Sequence, residues 1–219
     1  MIAIIDYDAG NIKSVEKALL SLGEEVVITR DAQTILEADG VILPGVGAFG
    51  DAMQKLRTYG LIDVIHRCVE RNIPFLGICL GLQLMFESSE ESLGVEGLRL
   101  LKGRILRIPA EEGLKIPHIG WNNLNFPQRG EFGPEEGKFD SGRGKLFAGL
   151  PENPYVYFVH SYYLAAEEED LVTATTEYGT IIHASVEKGN LFACQFHPEK
   201  SSEVGLKILQ NFIDVTKKQ

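Results

Sequence analysis

The chain has 219 residues, a length that allows one large or at most two small domains and a core big enough for an active site. With 44% hydrophobic and 24% charged residues, its composition excludes a disordered or fibrous protein. The 31 acidic residues against 21 lysines and arginines leave a net charge of −10, which argues against a nucleic-acid partner. The cysteines, Cys68, Cys79 and Cys194, are odd in number and have no paired spacing, so we expect no disulfide framework and no zinc site.

The sequence predicts neither a membrane segment nor a secretory signal. The most apolar stretch, residues 73–86, is shorter than the roughly 20 residues needed to span a bilayer. The start of the chain, residues 1–6, is strand-like and lacks the basic segment of a signal peptide. We therefore expect a cytoplasmic protein that does not contact membranes.

Short apolar runs alternate with helical periodicity over the first 90 residues, which predicts a parallel sheet covered by helices. A helix between the first two strands has Ile12, Val15 and Leu19 on one face and ends at Gly23. A second helix is predicted over residues 61–71. The strands predicted in this half are residues 2–5, 26–29, 41–43 and 73–78.

From Leu98 onward, short strands separated by turns predict a smaller, antiparallel β layer in the C-terminal half. These strands are residues 104–108, 155–159, 172–176, 181–186 and 191–196. A final helix starts at about Ser202, and residues 126–144, with five glycines and no apolar periodicity, predict an exposed loop. We therefore predict a single α/β domain over residues 1–219, with a three-layer architecture and a mostly parallel central sheet.

Cys79 stands where the predicted strand at residues 73–78 turns sharply into a helix. It is flanked by Gly77 and Gly81, so the segment has the strand-turn-helix context of a nucleophile elbow with cysteine in the place of serine. Backbone N–H groups at the start of a helix favour a thiolate and can hold an oxyanion. The alternative is a buried cysteine in a core strand, the commonest fate of a free thiol.

A base for this thiol is available in the segment Gln195-Phe-His197-Pro-Glu199, at the end of another predicted strand. One ring nitrogen of His197 can face the thiol while Glu199 holds the other, which is the arrangement of a catalytic triad. A histidine at the end of a strand is more often an ordinary surface residue. Its pairing with the elbow at Cys79 favours the catalytic interpretation.

Gly45, Gly47 and Gly50 satisfy the G-x-G-x-x-G pattern of dinucleotide-binding loops, after a strand and before a helix. Pro44 interrupts the turn, the motif is not in the first βα unit, and the acidic residue expected about 20 positions later is missing. These glycines can instead leave backbone N–H groups free to face a substrate oxygen. A nucleotide-binding module therefore stays open as an alternative from a different class of function.

Six segments resemble the triad-type glutamine amidotransferases, and most closely the glutaminase subunits of imidazole glycerol phosphate synthases. The elbow and His-Pro-Glu are typical of the superfamily, whereas Asp-Tyr-Asp-Ala-Gly-Asn, Pro-Gly-Val-Gly and His-Ile-Gly-Trp-Asn are more selective. The stretch 126–144 is longer than the family pattern. The matching segments, which extend over nearly the whole chain, are residues 5–12, 43–50, 77–83, 117–122, 158–162 and 195–201.

The resemblance implies that Cys79 attacks the carboxamide of L-glutamine, that His197 moves the proton and that Glu199 orients the ring. It also implies an oxyanion site and a binding site for the amino and carboxylate groups of glutamine. The residues implied for the oxyanion are Leu80 with Val46 or Gly47, and those for glutamine binding are Gln83, Ser161, Tyr162 and Glu91. No metal or cofactor is implied.

The resemblance further implies a heterodimer with a (β/α)8-barrel cyclase, which uses the ammonia to make imidazole glycerol phosphate in histidine biosynthesis. Asn11, Trp121 and Tyr157 lie in segments that the family uses at that interface, although Trp121 can equally be a core residue. Two other enzymes stay open: the glutaminase subunit of another amidotransferase, and a free-standing cysteine hydrolase. Gln83 and the Pro-Gly-Val-Gly segment argue against the second.

Overall fold

A computed structural model describes residues 1–127 and 143–218 of the chain. Its helices are α1 (Ile12–Ser21), α2 (Ala32–Leu36), α3 (Phe49–Thr58), α4 (Leu61–Glu70), α5 (Leu80–Leu84) and α6 (Ser202–Thr216). Its strands are β1 (Ile2–Ile5), β2 (Val26–Thr29), β3 (Gly40–Leu43), β4 (Phe75–Ile78), β5 (Ser88–Ser89), β6 (Gly103–Arg107), β7 (His118–Asn123), β8 (Tyr155–His160), β9 (Tyr162–Ala166), β10 (Val172–Glu177), β11 (Ile181–Lys188) and β12 (Leu191–Cys194).

The central sheet has seven strands in the order β10-β11-β12-β4-β3-β1-β2. The five strands from β12 to β2 are parallel, and β11 and β10 extend the sheet in the antiparallel sense. Because the carboxyl ends of parallel strands meet at one edge, the loops after β1, β3, β4 and β12 lie side by side there. The segments that carry the predicted catalytic residues follow two of these strands.

Helices cover both faces of this sheet, as the predicted three-layer architecture requires. Successive residues of a strand point to opposite faces. On β1, Ala3 and Ile5 pack in the layer that contains α2, α3, α4 and α5. Ile2 and Ile4 pack in the opposite layer, with α1 and α6. The predicted fold class is therefore confirmed.

The prediction for the C-terminal half needs a correction. The strands predicted at 172–176, 181–186 and 191–196 are β10, β11 and β12, which belong to the central sheet and not to the smaller layer. β12 joins the central sheet through β4, where Cys194 pairs with Ile78. An apolar run identifies a strand but not its partner, so the sequence pattern did not reveal this pairing.

Two small sheets form the predicted additional layer, in the orders β5-β6-β9 and β7-β8. Strands β5, β7 and β9 were not predicted; β7 contains Gly120, which has a φ of 138°. Most of the predicted loop at 126–144 lies outside the described residues. In the described part of the chain, no helix is long and apolar enough to cross a bilayer.

Candidate active site

Cys79 lies at the turn between β4 and α5, at the carboxyl edge of the central sheet. Its φ of 54° and ψ of −107° are unfavourable for a residue with a side chain, and such strain is common at active sites. An added Cβ at Gly81 would lie 1.8 Å from the carbonyl oxygen of Leu43, and one at Gly77 would lie 2.7 Å from Sδ of Met85. The glycines beside Cys79 are therefore required by the close packing of this turn.

His197 and Glu199 form a buried pair in the turn that follows β12. Nδ1 of His197 lies 2.7 Å from Oε1 of Glu199, and the two side chains are 1% and 0% exposed. The side-chain amide of Asn11 also donates to Oε1 of Glu199, at 2.6 Å. The carboxylate can only accept here, so these bonds hold the imidazole with its hydrogen on Nδ1.

The other ring nitrogen of His197, Nε2, is buried and has no hydrogen-bond partner among the described residues. Burial disfavours the imidazolium form, but the interactions with Cys79 and Glu199 outweigh it and raise the pKa of His197 to about 9. The site therefore favours a protonated imidazole beside the thiol. A neutral ring can take the proton of Cys79, and the imidazolium that results, which this site favours, can later return the proton to a leaving group.

A cavity of about 270 Å³ opens in front of Cys79. Its volume suits a molecule of the size of an amino acid. Every residue predicted to hold the oxyanion or the glutamine lines its wall: Val46, Gly47, Leu80, Gln83, Glu91, Ser161 and Tyr162. The walls also include Pro117, Val159 and His160, which the sequence analysis did not identify as site residues.

Gln83 can offer its side-chain oxygen, an acceptor, to a ligand in the cavity. Its Nε2 donates to the carbonyl oxygen of Tyr162 at 3.0 Å and to Oε1 of Gln195 at 3.1 Å. These bonds use both amide hydrogens, so the side-chain oxygen is what remains for a ligand. An acceptor at this place suits the ammonium group of an amino acid.

One of the predicted oxyanion donors, the N–H of Leu80, is not free in this conformation. The N–H of Leu80 donates to the carbonyl oxygen of Gly45 at 3.3 Å. The hydroxyl of Tyr7 donates to the carbonyl oxygen of Pro44 at 2.8 Å and further fixes the segment after β3. A substrate oxygen can therefore bind the N–H of Leu80 only after the peptide of Gly45 turns away.

Glu91 lies at the cavity wall but already has a partner. Its Oε2 accepts the backbone N–H of Phe49, at 2.7 Å, at the start of α3. A carboxylate at a helix N-terminus is favoured by the helix dipole. Glu91 thus ties the end of the glycine-rich segment to the cavity, in addition to any contact with a ligand.

His160 belongs to a pair of buried histidines behind the cavity. Its Nδ1 lies 2.9 Å from the carbonyl oxygen of Tyr162, and its Nε2 lies 3.1 Å from Nδ1 of His118. Burial lowers the pKa of His118 to about 4 and that of His160 to about 3, so both are neutral at pH 7. The pair fixes the backbone beside Ser161. The matched segments around both histidines were a signal that could have pointed to this role.

The three residues predicted at a partner interface differ in their surroundings. Trp121 on β7 is 53% exposed, and its ring meets that of Tyr157 on β8 edge to face, with centroids 6.1 Å apart. Trp121 is therefore a surface residue and not a core residue. Asn11 instead bonds to Glu199, a contact that the sequence analysis did not predict.

The known proteins that are similar to this chain agree on its family. A family model described as glutamine amidotransferase class-I matches residues 3–215. The imidazole glycerol phosphate synthase subunit HisH of Moorella thermoacetica is 52% identical over 211 residues, which are 96% of this chain and 93% of that protein. The HisH protein of Methanocaldococcus jannaschii, which has the same full name, is 43% identical over 98% of this chain and all of its own.

Solved structures share the architecture at low sequence identity. A crystal structure of a glutamine amidotransferase superposes with a TM-score of 0.72 and 17% identity, over 99% of this chain and 100% of that one. The glutaminase domain of Trypanosoma brucei CTPS, solved with bound acivicin, has a TM-score of 0.63 and 17% identity, over 97% and 93%. At such identities the likeness shows the fold alone.

Proposed function

The chain belongs to the class-I glutamine amidotransferase family, and from this we propose that it is the glutamine-hydrolysing subunit of an imidazole glycerol phosphate synthase. It converts L-glutamine to glutamate and ammonia and serves histidine biosynthesis. The observation that carries the proposal is the cavity at Cys79, whose walls contain all the residues expected to hold glutamine. The buried pair of His197 and Glu199 in the neighbouring turn supplies the base.

The reaction follows from the positions of these groups. His197 takes the thiol proton of Cys79 at Nε2, and the thiolate attacks the carboxamide carbon of glutamine. The C–N bond then breaks as the imidazolium returns its proton to the nitrogen, so ammonia leaves and a thioester stays on Cys79. Water, activated by the same imidazole, hydrolyses the thioester to glutamate and regenerates the thiol.

Because of the bond between Leu80 and Gly45, we expect the isolated subunit to have low activity. Hydrolysis needs donors aimed at the developing oxyanion, and removing one such donor typically costs about 3–4 kcal/mol of barrier. In the described conformation, the N–H of Leu80 is bonded to the carbonyl of Gly45. We propose that the partner protein favours a conformation in which Leu80 and either Val46 or Gly47 face the oxyanion.

The relatives named above are synthase subunits, so a partner protein is part of the function. We propose that this partner is a (β/α)8-barrel cyclase and that the whole chain, residues 1–219, works as one glutaminase domain. The nucleophile must stay reduced, and the described cysteines are all free thiols. Reduced thiols suit the cytoplasm, where we place the enzyme.

The test compares the variant Cys79→Ala with the wild type in the assembled synthase. We expect the variant to lose glutamine-dependent turnover while turnover with added ammonium salts is kept, because only the thiol is removed. Cys68→Ala is the matched control. Cys68 is buried in α4, and burial raises the pKa of its thiol to about 11, so this thiol is unreactive.

Glutaminase activity that persists in Cys79→Ala would contradict the mechanism. The same assay on the isolated wild-type chain tests the role of the partner. We expect hydrolysis to rise by orders of magnitude when the partner and its ligand are added. Equal rates with and without the partner would favour a free-standing cysteine hydrolase.

A further inference from the structure

We propose that Gln195 is a further catalytic residue, which donates a hydrogen bond to the sulfur of Cys79 and stabilises it as a thiolate. Its Nε2 lies 3.7 Å from Sγ of Cys79, a hydrogen-bond distance for sulfur. The residue is fully buried, and its backbone N–H is fixed to the carbonyl oxygen of Ala184 at 2.8 Å. The inference rests on the proposed function in taking Cys79 as the nucleophile.

Neighbouring groups determine which end of the Gln195 amide faces the sulfur. The carbonyl oxygen of Tyr162 can only accept, so the Gln83 atom 3.0 Å from it must be Nε2. This Nε2 also lies 3.1 Å from the amide of Gln195, so the Gln195 atom that meets it must be the oxygen. The remaining polar atom of the Gln195 amide is Nε2, which therefore faces the sulfur of Cys79.

The carbonyl oxygen that fixes this orientation is itself held firmly. It accepts from Gln83 and also from Nδ1 of His160, at 2.9 Å. Since the oxygen only accepts, His160 carries its hydrogen on Nδ1 and accepts at Nε2 from His118. A continuous hydrogen-bond chain thus runs from the buried histidines through Gln83 and Gln195 to the nucleophile.

A donor in this position acts mainly on the charged form of the sulfur. A thiolate is a much stronger acceptor than a thiol, so the N–H of Gln195 favours ionisation of Cys79. The proton released goes to Nε2 of His197, which has no hydrogen-bond partner among the described residues. No further reactant is needed. The result is a thiolate held between an amide donor and an imidazolium.

The bond also connects the nucleophile to the glutamine-binding wall. Gln83 lines the cavity and donates to Gln195, which in turn donates to Cys79. A ligand that bonds to the oxygen of Gln83 polarises its N–H groups, because hydrogen bonds in a chain strengthen one another. Since Gln195 contacts the sulfur directly and the glutamine-binding wall only through Gln83, we expect it to affect the reactivity of the thiol more than the affinity for glutamine.

Alkylation of Cys79 by iodoacetamide tests this role in the full chain. The variant Gln195→Met keeps the length of the side chain but removes the amide donor, and Gln195→Leu does so with a different shape. Mass spectrometry of the peptide that contains Cys79 follows the reaction between pH 5 and pH 10. We expect about tenfold slower alkylation at pH 7 and a pH profile displaced to higher pH, because the thiolate is the reactive form.

Gln33→Met is the matched control, since Gln33 is exposed on α2 and its side-chain amide donates to Glu37 on the surface. A folded Gln195→Met protein with the rate and pH profile of the wild type would overturn the proposal. If circular dichroism shows Gln195→Met to be unfolded, the Gln195→Leu variant decides by the same criterion.

Alkylation needs no glutamine, which separates this inference from the proposed function. A displaced profile in a protein that does not hydrolyse glutamine with its partner would support the role of Gln195 and contradict the proposed function. Hydrolysis of glutamine by the wild type, together with an unchanged pH profile in Gln195→Met, would support the proposed function and contradict the role of Gln195.

Discussion

One oxygen of Glu199 receives two hydrogen bonds, from the ring of His197 and from the amide of Asn11. Asn11 precedes α1 and has a φ of 67°, a conformation that asparagine adopts more readily than most residues. Its short side chain thus reaches Glu199 from the loop after β1. The contact leads us to expect that Asn11 is a positioning residue, which keeps the carboxylate of Glu199 aimed at the imidazole of His197.

We expect Asn11→Ala to lower kcat for glutamine hydrolysis about tenfold in the assembled synthase. A hydrogen bond to a charged group contributes about 1.5–3 kcal/mol, and only part of it acts on the imidazole. Steady-state kinetics should show little change in KM for glutamine. Asn190→Ala is the control, because Asn190 bonds to the carbonyl oxygen of Asn72 at the other end of β12.

Asn11 was also predicted at the partner interface, so the affinity for the partner must be measured separately by calorimetry. A variant with weaker partner binding and unchanged kcat at saturation would assign Asn11 to the interface and not to the triad.

The turn that carries Glu199 packs closely against helix α6. An added Cβ at Gly205 would lie 1.8 Å from the carbonyl oxygen of Pro198. The hydroxyl of Ser201 donates to the carbonyl oxygen of His197 at 2.6 Å and accepts the N–H of Tyr157 at 2.9 Å. The first turn of α6 therefore determines where the His197–Glu199 segment lies.

We expect Gly205→Ala to lower the free energy of unfolding by about 1–3 kcal/mol and to reduce glutamine hydrolysis. Alanine has the higher helix propensity, but a clash with a backbone oxygen outweighs that gain. Urea denaturation measures the first effect and a glutaminase assay the second. Glu203→Ala, on an exposed position of the same helix, should leave both nearly unchanged. Stabilisation by Gly205→Ala would show that the turn moves without cost.

Strands β7 and β8 together present an apolar surface to solvent. Ile119, Trp121 and Tyr155 are 58%, 53% and 56% exposed. They lie in one antiparallel pair, in which Trp121 is directly opposite Tyr157. Exposed apolar groups collected on one small sheet are typical of a surface that binds another protein. Tyrosine and tryptophan rings are also typical of interface hot spots.

We expect Trp121→Ala to weaken binding of the partner subunit by roughly 30-fold, about 2 kcal/mol, as for an aromatic hot spot. The stability of the isolated chain should be unchanged, because the ring is half exposed. Calorimetry measures the affinity. Trp121 is the only tryptophan, so its fluorescence reports on this surface directly.

Leu20→Ala is the matched control for this surface. Leu20 is 52% exposed near the end of α1, towards the opposite edge of the central sheet. Partner binding that is unaffected by Trp121→Ala, or equally affected by Leu20→Ala, would contradict the assignment of the interface.

Local features of the sequence were enough to predict the sharp turn at Cys79 and most of the central sheet. A run of apolar residues specifies a buried strand, and glycines on both sides of Cys79 specify a turn too tight for side chains, because each depends on neighbours in the chain. His-Pro-Glu likewise places an imidazole and a carboxylate two residues apart, so that they can bond to each other.

Contacts between distant segments were decided only by the tertiary structure. Three such contacts connect parts far apart in sequence. They are the pairing of β10, β11 and β12 with the central sheet, the hydrogen bond from Asn11 to Glu199, and the hydrogen-bond chain from His118 to Cys79. Strand pairing and buried hydrogen bonds depend on which surfaces meet when the layers pack, and that information is not local. Local sequence was enough to place a thiol in a tight turn and a histidine beside a carboxylate, whereas the packing of the layers decided which groups contact them.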